Sequence, residues 1–148
     1  MIIALGSDHA GYEDPPPHYK PAIADHLRAR GHEVLDCGTD GPDSVDYPDF
    51  AAAVTRAVLS GEAEAGVLLC GTGIGMSIAA NRHPGIRAAS VCSEATAELS
   101  RTHNNANVLC MGRRTLTLDQ VLEYLDIWLD TPFSGGERHA RRLCKLDE

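Results

Sequence analysis

The chain has 148 residues, 43% of them apolar, with 13 Lys and Arg against 21 Asp and Glu for a formal net charge of −8. This length fits one domain over residues 1–148 that buries a core without disulfides or a structural metal. The acidic balance argues against a nucleic-acid footprint or attraction to anionic membranes; residues 1–9 lack a basic leader and nothing approaches the roughly 20 apolar residues of a membrane span, so a soluble cytoplasmic protein is expected.

The first apolar run, IIALG at 2–6, reads as a short strand buried on both faces. SDHAG follows it and puts Asp8 and His9 together at the strand end. Two readings are open there: the pair binds hydroxyls and a phosphate, or Asp8 caps a turn with His9 packed beside it. EDPPPHYKP at 13–21 carries three consecutive prolines, which cannot lie within a helix and favour an extended segment. A helix over 20–31 puts Ile23, Ala24 and Leu27 on one face and stops at Gly31. HEVLDCG at 32–38 reads as the second strand. A helix over 47–61 then places Phe50, Val54, Ala57 and Val58 at spacings of three and four, stopping at Gly61.

GVLLCG at 66–71 is a third strand that runs into CGTGIG, and MSIAANR opens a helix directly after. AASVC at 88–92 is the fourth strand. A helix over 93–104 begins at a Ser93 cap with Glu94 and Glu98 in its first turns. RTHNNAN at 101–107 offers His103 and amides, either as an ordinary helix C-terminal cap or as ligands. NVLCMG at 107–112 is the fifth strand, and a helix over 117–130 starts from Thr117 with Val121, Leu122, Leu125 and Trp128 on its apolar face. Basic residues collect in GRR at 112–114 and in ERHARRLCK at 137–145, where Arg138 and Arg142 share one helical face. These arginines are either a solvated basic face or a phosphate grip.

Strand–helix alternation five times over implies parallel pairing and right-handed crossovers: a three-layer α/β/α sandwich with a Rossmann-like five-stranded parallel sheet. Ligands in such sheets bind beyond the carboxyl ends of the strands. Asp8 and His9, Gly38 and Thr39, Cys70 to Gly75, Ser93, and Arg113 with Arg114 all follow strands and so form one candidate site. The five cysteines are odd in number, widely spaced and without a C-x-x-C pair, so reduced thiols are expected. Cys37, Cys92 and Cys110 fall in or at the ends of strands and read as buried.

CGTGIG between a strand and a helix aims backbone N–H groups at one spot, where an oxyanion fits. It lacks the Lys-Ser/Thr of a P-loop and the position of a dinucleotide fingerprint, so tight-turn packing is the competing reading. Cys70 is either an inert core thiol or a base or nucleophile at the mouth of that loop.

Taken in order, SDHAG, DCGT, DYP, CGTGIGMSIAANR, GIRAA, SRTHNNANVLCMGRR and ERHARR resemble the type B ribose-5-phosphate isomerases, a family that includes galactose-6-phosphate and allose-6-phosphate isomerases. The resemblance spans residues 2–146 and implies an aldose–ketose isomerase working through a cis-enediol(ate) with no metal and no cofactor. In its cysteine-bearing branch the residue matching Cys70 is the base and that matching Thr72 assists with the oxygen-bound proton. Another branch uses a glutamate where this chain has Met76. The resemblance further implies ring opening by His103, with Asp8 and Asn104 on the ring oxygen and hydroxyls and Tyr47 near the sugar. Backbone groups of Gly71, Gly73, Ile74 and Gly75 would face the enediolate, and His9, Arg114, Arg138 and Arg142 the phosphate. Arg113 and Arg141 have no counterpart role.

The family's sites lie between two subunits, which implies a homodimer, extended in one alternative to a tetramer, with the C-terminal helix reaching the partner. The expected substrate is D-ribose 5-phosphate. The alternatives are allose 6-phosphate, galactose 6-phosphate or a tetrose phosphate, or a non-catalytic sugar-phosphate binding protein. One departure stands out: DPPPH at 14–18 is an insertion of about five residues relative to the family, expected to reshape the sugar end of the pocket.

Overall fold

The computed structural model describes all 148 residues. Five strands, β1 (Ile2–Ser7), β2 (Glu33–Asp36), β3 (Ala65–Cys70), β4 (Ala88–Ser90) and β5 (Val108–Gly112), form one sheet in the order β2-β1-β3-β5-β4, every pair parallel. Six helices accompany them: α1 (Tyr19–Ala29), α2 (Tyr47–Leu59), α3 (Ile74–Ala80), α4 (Glu94–Thr102), α5 (Leu118–Asp130) and α6 (Glu137–Leu146). The three-layer sandwich expected from the alternation is the architecture observed. No helix is long and apolar enough to cross a membrane.

The two-residue period of a strand divides the core. Ile3, Leu5, Val67, Leu69, Leu109 and Met111 face α1, α4 and α5, whereas Ala4, Leu68, Cys70, Val108 and Cys110 face α2 and α3. Each fully buried Leu or Ile contributes about 1.5–3 kcal/mol relative to exposure. The α2 side is built on small residues: a Cβ on Gly66 would stand 2.6 Å from a Val54 methyl, so glycine there lets α2 lie close on the sheet. Met76 is fully buried in this layer.

The caps expected from sequence are present. Ser93 with Thr96 and Thr117 with Gln120 form reciprocal capping boxes at the starts of α4 and α5, and Gly31 ends the turn after α1 with φ +86°. Three expectations change. Helix α3 starts at Ile74, two residues before MSIAANR, because Gly73 adopts φ +82° and turns the chain at once. The segment 14–17 is a run of bends instead of an extended stretch, closed by His18 and Asp14 at 3.0 Å. Arg113 draws it back by donating to the carbonyls of Glu13 and Pro15. Cys92 is exposed, since edge strand β4 ends two residues before it, while Cys110 is buried and Cys37 half-buried.

Candidate active site

The sheet order reverses between β1 and β3, and in open parallel sheets the ligand position lies beyond the carboxyl ends of the strands at such a point. Asp8 leaves β1 with its N–H on the Leu69 carbonyl at 3.2 Å, so the β1 exit is tied to the β3 exit. One oxygen of the largely buried Asp8 carboxylate accepts the Ala10 N–H at 2.9 Å and caps the short 3-10 turn His9–Tyr12. The capping reading of Asp8 thus holds for one oxygen and leaves the other. The Val45 N–H donates to Nδ1 of His9 at 3.3 Å, so a neutral ring carries its proton on Nε2.

Cys70, 5% exposed, ends β3, and the Gly73 N–H donates to its Sγ at 3.2 Å. The Ile74 N–H donates to Oγ1 of Thr72 at 3.2 Å. Two donors of the loop are therefore committed locally, and those of Gly71, Thr72 and Gly75 have no protein partner. Only glycine fits at 73: besides its positive φ, a Cβ there would lie 3.0 Å from the Met111 backbone. The Tyr47 ring, on the first residue of α2, lies against Gly75, 2.8 Å from where a Cβ would be, and the Arg114 guanidinium crosses Gly71 at 3.0 Å by the same measure. Backbone bonds from Arg113 to Cys70 and from Arg114 to Gly71, both 2.9 Å, lock the β5 exit onto the β3 exit.

The charge at this edge fits an anion site. The Arg114 guanidinium is held above its ordinary range by its hydrogen bond to Glu13, with Asp8 and Cys70 adding to the effect. Burial pushes the neighbouring Cys110 thiol up; Cys110 is fully buried, whereas Cys70 at the strand end keeps 5% exposure.

The remaining sequence-derived residues lie elsewhere in the same chain. Helix α4 runs back from the carboxyl edge, so His103 and Asn104, just before β5, sit beyond the amino edge, about 17 Å away along β3. The His103 ring stacks on His139 of α6 at 4.2 Å between centroids. Desolvation and then the positive charges of His103, Arg138 and Arg142 hold His139 below its ordinary value, which places all four in one cluster. No carboxylate pairs with Arg138, Arg141 or Arg142. Sequence reasoning missed two members of these groups: His139, inside ERHARR, and Glu13, which follows SDHAGY and faces Arg114. No group of three His, Cys, Asp or Glu side chains is arranged to hold a metal ion.

An open parallel sheet with a thiol, free backbone donors, an imidazole and a guanidinium at its switch point defines an α/β enzyme with a small-anion site. Residues 3–146 match the family model described as Ribose/Galactose Isomerase. Ribose-5-phosphate isomerase B of Escherichia coli is 46% identical over 142 residues, covering 95% of this chain and 91% of that protein. The structure of ribose-5-phosphate isomerase B from Clostridium thermocellum superposes with a TM-score of 0.94 at 51% identity, covering 99% of this chain and 95% of that one. That of the type B enzyme from Trypanosoma brucei gives 0.91 at 44% identity, covering 99% and 96%. The chain belongs to the ribose/galactose isomerase family, among the type B ribose-5-phosphate isomerases, and is an aldose–ketose isomerase.

Proposed function

We propose that this chain interconverts D-ribose 5-phosphate and D-ribulose 5-phosphate, with Cys70 as the base and with each site shared between two copies. The observation that carries the reading is the buried Cys70 thiol at the sheet's switch point, beside unpartnered loop N–H groups and Arg114. In the aldose-to-ketose direction the Cys70 thiolate takes the proton from C2 of the open-chain sugar. The C2 electron pair forms the C1–C2 double bond, and the carbonyl electrons move to O1. That developing charge meets the N–H groups of Gly71, Thr72 and Gly75, whose fixed dipoles need no reorganisation. Thr72 accepts from Ile74, which leaves its own proton to serve the O1/O2 exchange. The thiol then returns its proton to C1, while Thr72 gives its hydroxyl proton to O1 and takes the proton that leaves O2 as the ketone forms.

Ring opening by His103, hydroxyl contact by Asn104 and the second phosphate grip by Arg138 and Arg142 come from a partner copy. The opposite placement of the two residue groups on the sheet supports this, as no motion of a packed chain brings them together. Exposed Leu99 and Leu146 flank a 630 Å³ cavity along the β4 edge beside the amino-edge cluster, apolar surface suited to a second copy.

The test is turnover of ribose 5-phosphate, allose 6-phosphate, galactose 6-phosphate and a tetrose phosphate by wild type and Cys70→Ala. Ribose 5-phosphate is expected to turn over fastest, with a loss of at least about a thousandfold in the variant and unchanged substrate binding. Cysteine-dependent turnover of another sugar would reassign the substrate. Binding without turnover of any would overturn the catalytic reading.

A further inference from the structure

The adjacent residues Arg113 and Arg114 grip one acid that the isomerase chemistry leaves unused. Glu13 closes the 3-10 turn after β1, its N–H on the Ala10 carbonyl at 3.3 Å. Both of its carboxylate oxygens accept from Nε of Arg114, at 3.2 and 3.1 Å, and neither terminal nitrogen of that guanidinium bonds to a protein group. The inner edge of the guanidinium is therefore held while the outer fork stays open, with Nη1 crossing Gly71. Arg113 holds the backbone of the same acid: its Nη2 donates to the carbonyls of Glu13 at 3.4 Å and Pro15 at 3.3 Å. The Arg113 guanidinium in turn stacks 4.3 Å from the centroid of the Tyr19 ring, whose hydroxyl is fixed on the Leu116 carbonyl at 2.8 Å.

As an ion pair this contact contributes little to folding, since the side chains of Arg114 and Glu13 are 57% and 35% exposed. Its geometric effect is larger. A free arginine samples many rotamers, and a carboxylate on Nε removes most of them without occupying the two terminal nitrogens that bind a dianion bidentately. A carboxylate competing for the phosphate position would sit on that terminal fork.

We infer that Glu13 is a positioning residue for phosphate recognition: it aims the Arg114 guanidinium at the β3 exit, and the 14–18 segment, clamped by Arg113, holds Glu13 in place. The inference rests on the reading of Arg114 as a phosphate ligand. It moves the effect of the five-residue insertion from the sugar end to the Arg114 end of the site.

The experiment is steady-state kinetics on ribose 5-phosphate, with inorganic phosphate as competitive inhibitor, for Glu13→Gln, Glu13→Asp, Arg114→Ala and the Glu13→Gln/Arg114→Ala double variant. Glu13→Gln is expected to raise KM and the phosphate inhibition constant together, about five- to tenfold, with kcat changed by less than about twofold. It should add nothing to Arg114→Ala. Glu13→Asp, which keeps the charge but falls short by one methylene, moves both constants the same way and carries the test if the Gln variant does not fold. A rise of both constants in Arg114→Ala with neither Glu13 variant raising them would overturn the inference. If Arg114→Ala itself moves neither constant, the phosphate reading of Arg114 fails and the inference goes with it.

Discussion

The two edges of the sheet carry different kinds of site. At the carboxyl edge Asp8, His9, Cys70 and Arg114 are attached to strand exits, with Tyr47 added from the start of α2, and the exits are tied to one another through Asp8, Arg113 and Arg114 backbone bonds. Its thiol is buried and its donors are main-chain groups, so its geometry is as rigid as the sheet. The amino-edge group hangs on the last residues of α4 and on α6, which is mostly exposed and buries only Leu143. It offers imidazoles and guanidinium groups without carboxylate partners. On the proposed reading the carboxyl edge supplies the carbon base, the amino edge supplies ring opening and phosphate charge, and a complete site needs both.

The sharpest way to break this comparison is to mix two inactive proteins. On the proposed reading Cys70→Ala lacks the base and His103→Ala lacks the ring-opening group, so each alone should be strongly impaired. In mixed dimers of equal amounts, half the molecules are heterodimers and one of their two sites is intact, restoring about a quarter of wild-type activity. The measurement is turnover of ring-closed ribose 5-phosphate after co-refolding or subunit exchange. No recovery despite proven heterodimers would place both groups in one chain's site.

A smaller effect is expected from the amino edge alone. Arg142→Ala should raise KM about tenfold or more with kcat little changed, because a phosphate contact far from C1 and C2 is made equally in ground and transition states. An equal fall in kcat would instead show that the α6 charges act on the reacting atoms.

The carboxyl edge was legible in the sequence because its rule needs only strand–helix alternation: whatever follows a strand lies at the ligand-binding edge. That rule gathers Asp8, His9, Cys70 and Arg114 without knowledge of strand order. The amino edge was not legible as a separate place. His103 enters as the end of a helix, and its distance from Cys70 follows from α4 running antiparallel to the strands across a full strand length. The stacking of His103 on His139, 36 residues later, has no periodic trace. The Glu13–Arg114 pair joins residues 101 apart and is visible only once β1 and β5 flank β3. The exposure of Cys92 was missed because an edge strand of three residues looks, in composition, like the beginning of a longer buried one.

The rigidity of the carboxyl edge has its own anchor, and weakening it gives the smallest of these effects. Lys20, 1% exposed, donates to Asp36 at the end of β2 and to the Thr39 carbonyl at 2.6 Å, pinning the β2 exit beneath α1. Burial alone would raise the Asp36 carboxyl, but the Lys20 contact and the Gly38 N–H outweigh it and hold the group below its ordinary 3.8. A carboxylate depressed in the folded state stabilises above its unfolded value, and that contribution is lost as pH falls through the folded one. Asp36→Asn leaves the buried ammonium with neutral partners only. It should cost about 1–2 kcal/mol in urea unfolding at pH 7, discounted from a fully buried pair because the Asp36 side chain is 53% exposed. The gap between wild type and variant should narrow below about pH 4. The amino-edge groups do not touch this anchor, so phosphate affinity contributed by α6 should survive the substitution while Cys70-dependent turnover declines. A variant that lost both equally would mean the two edges share one scaffold, and the contrast between them would fail.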